Sequence, residues 1–76
     1  MKAYGYSSKI DMGKGPIPLD EITLWGKPEV LRELANFINL MANELQCNPD
    51  FDQMHLRDTW DKWTEDYPDF IICKPE

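Results

Sequence analysis

His55 is the single histidine of the 76-residue chain, and Asp50, Asp52 and Asp58 stand within five residues of it. A carboxylate beside an imidazole is the basis of general acid–base catalysis, and the same residue types ligate divalent metals. The spacing supports neither use. In an extended segment Asp52 and His55 project to opposite faces. No second histidine or paired cysteine completes a coordination set. No serine or cysteine stands in a nucleophile motif, and a domain this small has little depth for a substrate pocket. Gly13-Lys14-Gly15 lacks the Gly-x4-Gly-Lys-Ser/Thr frame of a phosphate loop. The expectation is a chain that is not an enzyme, with no catalytic residue, no metal and no cofactor.

Binding is the chemistry that the residue types favour. Between positions 50 and 69, seven acidic residues (Asp50, Asp52, Asp58, Asp61, Glu65, Asp66 and Asp69) face Arg57 and Lys62. That local balance of −5 is nearly all of the whole-chain charge of −6. Trp60, Trp63 and Tyr67 are threaded through it. One reading is a solvated connection whose aromatics tuck back onto the core. The other is an acidic, aromatic-studded surface for a basic protein, with encounter speeded by opposite charge. Asp58, Asp61, Trp63, Glu65, Asp66 and Tyr67 are its candidate contacts. A second candidate surface holds Trp25 and Arg57, with Thr23 and His55 on the same strand face. Aromatic residues and arginine are enriched at interfaces, although Trp25 could equally lie flat over its own sheet. Leu40 stands among Glu33, Asn36, Asn43 and Glu44 on the polar side of a helix, where a lone leucine usually has no function.

These residues need elements to position them. Over residues 28–46 the apolar positions Val30, Leu31, Leu34, Ala35, Phe37, Ile38, Met41, Ala42 and Leu45 fall on one arc at 100° per residue, which predicts a long amphipathic helix. Leu34 and Ile38 lie near the middle of that arc and are expected in the core. Pro28 suits the first helical position. Asn48 can take the left-handed conformation that ends a helix, and Pro49 forbids continuation. Alternation predicts strands at residues 2–9, 20–25 and 52–57, with Met54 and Leu56 inward and Gln53, His55 and Arg57 outward. The apolar run 70–73 predicts a central strand, and residues 11–18 predict a loop. A short helical turn can hold Trp60, Trp63 and Tyr67. The expected fold is α+β: a two-layer sandwich with a four-stranded, mostly antiparallel sheet and one long helix on one face. Strand order 1-2-4-3 is favoured, with 1-2-3-4 open, and the strands flanking the helix are expected parallel through a right-handed crossover.

Composition narrows the partners. The length fits a single domain. A net charge of −6 argues against nucleic acid. No apolar run approaches the ~18 residues of a membrane span, and residues 1–10 lack an apolar signal-peptide core, so a cytoplasmic location is expected. Cys47 and Cys73 are expected as free thiols. A homodimer formed through the open sheet face is the alternative to a foreign partner.

Residues 21–37, EITLWGKPEVLRELANF, with Met54-His55-Leu56-Arg57-Asp58 and Pro68-Asp69-Phe70-Ile71-Ile72, resemble the immunity protein 32 family of bacterial polymorphic-toxin systems. The resemblance runs from about residue 20 to 72. It implies a small cytoplasmic α+β protein, encoded beside a toxin gene, that binds and neutralises its cognate toxin domain one to one. It transfers no catalytic residue. Lys27 stands where a capping serine or similar residue would be expected.

Overall fold

Pro28 opens the one long element. The helix α1 spans Pro28–Cys47 in the computed structural model, which describes residues 1–5, 7 and 15–75. A proline at the first position sacrifices no hydrogen bond, and Glu29 in the first turn suits the positive end of the dipole. Lys27 caps through its backbone alone: its carbonyl accepts from the Val30 and Leu31 amides, each at 3.0 Å. At the other end Asn48 is extended, at φ −118° and ψ 102°, and not left-handed as expected. It stops the helix by other bonds. Its amide donates to the Glu44 carbonyl at 2.8 Å, and its side-chain Oδ1 accepts from the Asp50 amide at 3.0 Å. That Asx-type turn redirects the chain at Pro49.

The buried face of α1 is a narrow stripe. Leu34, Phe37 and Met41 are buried, at positions i, i+3 and i+7, together with Phe51 and Leu56. Met54, Trp60, Trp63, Phe70 and Ile72 pack around them. One flank of the expected arc is left out. Leu31 is 40% exposed and Ile38 is 46% exposed, with Ala35 and Ala42 also exposed. Leu34 is a core residue as expected; Ile38 is not. One expected strand is not paired among the described residues.

That strand was expected at residues 20–25. Residues 21–27 pair with no strand, and none of them is buried. The described strands form two separate antiparallel ladders where the sequence predicts one four-stranded sheet. In the first, β1 (Tyr4–Gly5) pairs β2 (Ile17–Pro18), so the end of the expected 11–18 loop is a strand. The Leu19 amide extends this ladder to the Ala3 carbonyl at 2.8 Å. Gly15, at φ 77°, takes the backbone conformation glycine alone adopts freely. Residue 6, residues 8 and 9, and residues 11–14 of the predicted strand and loop lie outside the described residues.

In the second ladder β3 (Gln53–His55) pairs β4 (Ile71–Cys73), with Met54 opposite Ile72. The pairing is continued by Leu56 N–H to Phe70 O at 2.8 Å and Lys74 N–H to Asp52 O at 2.9 Å. β4 pairs only β3 among the described residues, and its sides differ: Ile72 faces the core while Ile71 is exposed. The expected central strand, buried on both sides, is therefore half of a two-stranded ribbon. No parallel pair flanks α1 among the described residues. α1 packs on this second ribbon and its connection, and no described residue before position 28 is buried. The radius of gyration is 13.3 Å, against about 11 Å for a compact chain of this length.

Candidate protein-binding groove and its acidic rim

The connection from β3 to β4 is a series of turns, not the short helical turn expected at Trp60 to Tyr67. A 3-10 turn, Leu56–Asp58, ends the strand. The Leu56 carbonyl then accepts from the Thr59 and Trp60 amides and from Thr59 Oγ1, each at 3.0 Å. The Trp63 amide donates to the Trp60 carbonyl at 3.1 Å, and the Tyr67 amide to the Thr64 carbonyl at 3.0 Å. Trp63 is half-buried against the core, and its indole Nε1 donates to the Pro68 carbonyl at 3.2 Å. Trp63 therefore braces the connection from inside, as the tucked-back reading holds. Trp60 and Tyr67 close on each other, with ring centroids 5.2 Å apart at 47°.

This tilted pair forms one wall of a groove of about 380 Å³, continued by Leu56, Pro68 and Phe70. The opposite wall is the stretch from Thr23 to Lys27 with Val30, Leu31 and Leu34 of α1. Gly26 lets the stretch pass close over the helix, since a Cβ there would meet Leu31 Cδ2 at 3.3 Å. Trp25 stands at the edge and is 97% exposed. Two surfaces that the sequence suggests separately thus meet: Trp25 and Tyr67 line the same groove. The sequence reading missed Leu24, Leu31, Pro68 and Phe70 as lining residues. The apolar Leu24-Trp25 pair directly before a helix start was the only local signal for them.

Asp58, Asp61, Glu65 and Asp66 are all exposed on the connection. Among the described residues none of them enters an ion pair, so their charge faces solvent. Arg57 and His55 do not line the groove. No open sheet face carries them beside Trp25, because residues 21–27 are not part of a sheet. Both turn instead to Asp69. Asp69 Oδ2 lies 2.6 Å from His55 Nδ1 and 3.6 Å from Arg57 Nε, and Asp69 Oδ1 accepts from the Arg57 amide at 3.1 Å. Partial burial opposes the charged form of Asp69. The His55 hydrogen bond, the Arg57 amide and the positive charge of both side chains outweigh it and hold the carboxyl below its ordinary value. These contacts favour the ionised carboxylate. The geometry is that of a clasp between the end of β3 and the residue before Phe70. Lys74 Nζ lies 3.8 Å from Asp52 Oδ1 at the surface. Cys47 and Cys73 are exposed free thiols. Among the described residues no three side chains gather as metal ligands, and no helix is long and apolar enough to cross a membrane. No family model, curated protein or solved structure matches this chain.

Proposed function

We propose that this chain is a non-catalytic binding protein that associates one to one with a basic protein. The resemblance to the immunity protein 32 family makes that partner a bacterial toxin domain, neutralised in the cytoplasm. One observation carries the reading: four exposed carboxylates, Asp58, Asp61, Glu65 and Asp66, stand on a hydrogen-bonded connection whose Trp60 and Tyr67 open onto an apolar groove. Rim charges of one sign steer an oppositely charged partner, and an apolar centre slows its release. Neutralisation requires occupancy, not turnover, so no catalytic set is needed. The single four-stranded sheet that the strand alternation favours belongs to the same proposal.

Self-association is the second reading, favoured by the exposed Leu31 and Ile38 flank of α1. Repulsion between two chains of charge −6 opposes it. Co-expression with a candidate toxin domain from a neighbouring gene tests both. Restored growth and a co-purifying complex of equal stoichiometry are expected, with the free chain sedimenting as a monomer. Absent rescue together with a dimeric free chain would replace the first reading by the second.

A further inference from the structure

We infer that the groove between Trp25 and the Trp60–Tyr67 pair is a socket for one large apolar side chain carried on a basic segment of the partner. The inference rests on the reading of the chain as a binder of a basic protein and adds where and how that protein is anchored. A volume of about 380 Å³ is at the lower end of ligand-sized sites, suited to a single side chain and its neighbouring backbone. The walls are mostly apolar, with Thr23, Lys27 and the Tyr67 hydroxyl the main polar groups among the lining residues. Trp25 leaves its whole ring in water at the groove edge. Covering it on a guest recovers apolar area, and tryptophan is an enriched anchor at the centres of interfaces.

Charge selects the occupant. Asp61 directly follows Trp60 in the chain and Asp66 directly precedes Tyr67, and both are exposed. Among the described lining residues Lys27 is the one cation, at the helix start. A guest is therefore oriented with its cations toward Asp61 and Asp66 and away from Lys27. A second copy of this chain is the poorer occupant, because it would bring an acidic rim against an acidic rim.

The test is a heteronuclear NMR titration of the full chain with three synthetic peptides of equal length. One has a leucine flanked by lysines, one an alanine flanked by lysines, and one a leucine flanked by glutamates. The expected result is that the first shifts the Trp60 indole, Tyr67 and Leu31 resonances and binds at least about tenfold tighter than either of the others. Trp25→Ala is expected to weaken it several-fold with the thermal midpoint unchanged. The inference is overturned by any of four results: no shift from the first peptide, equal binding of the leucine and alanine peptides, equal binding of the glutamate peptide, or a free chain that dimerises through these residues. The two proposals fail separately. Toxin neutralisation that survives both Trp25→Ala and a bulky Leu31→Trp substitution rejects the socket and keeps the binder. Peptide capture without neutralisation keeps the socket and rejects the toxin.

Discussion

His55 and Asp69, fourteen residues apart, meet at 2.6 Å between Nδ1 and Oδ2. The contact ties the end of β3 to the residue just before Phe70 and β4. The second oxygen of Asp69 takes the Arg57 amide at 3.1 Å, so one carboxylate closes both ends of the connection that carries the acidic rim. The proposed recognition surface and the stability of its connection are linked at this point, because Asp69 anchors the turns that carry Asp58, Asp61, Glu65 and Asp66.

A pH dependence follows from the depressed Asp69 carboxyl. The unfolded chain holds that proton more tightly than the folded one, so stability rises with pH through this range. The contribution is present above the unfolded value of about 3.9 and is lost as pH falls through the lower folded value. Asp69→Asn is expected to cost about 1 kcal/mol at neutral pH, read from urea denaturation. The gap to the parent should close in acid below the folded value. A gap of equal size at both pH values would show that the ionised clasp does not contribute.

Leu34 and Ile38 separate the buried stripe from the exposed flank. Leu34→Ala removes a buried side chain facing Phe37, Phe51 and Leu56 in the core cluster and is expected to cost ~2–5 kcal/mol. Ile38→Ala, at a position 46% exposed, is expected to cost about 1 kcal/mol or less. Denaturation midpoints of the two variants check this. Equal losses would place Ile38 under a cover such as a four-stranded sheet.

The helix was legible almost to the residue, because Pro28 and Pro49 bracket a continuous 3.6-residue apolar period. The two strands of the β3–β4 ribbon were legible as neighbours with Met54 inward, but the continuous apolar run 70–73 suggested a strand covered on both sides, and Ile71 is exposed. The stretch at residues 20–25 is not paired as a strand. Its alternation of Ile22 and Leu24 with Glu21, Thr23 and Trp25 meets the strand pattern, but a strand also needs a neighbour, which local pattern does not encode. Asp69 as the partner of His55 was hidden by sequence distance, since the nearer Asp52 and Asp58 drew attention. The groove was out of reach for the same reason: its walls lie about forty residues apart and meet only through α1.

The three tryptophans should divide by role. Trp25 is fully exposed, while Trp60 and Trp63 are half-buried against the core. Trp25→Phe is expected to remove most of the acrylamide-quenchable emission and to leave stability within about 0.5 kcal/mol. Trp63→Ala loses packing and the bond to the Pro68 carbonyl, and is expected to cost about 2 kcal/mol or more. Steady-state quenching and thermal melts on the same samples decide it. Strong quenching that persists in Trp25→Phe would mean the connection is open.

If the acidic rim recruits a basic protein, as proposed, reversing its charge slows association. The measurement is the association rate with the candidate toxin domain at low and moderate salt, for the parent and for Asp61→Lys combined with Glu65→Lys, after melts show the variant folded. Both side chains are exposed and unpaired among the described residues, so the reversal changes charge without disturbing the core. The account predicts an association rate about tenfold slower at low salt, with a flatter salt dependence. A rate and a salt slope unchanged by the double reversal would contradict it.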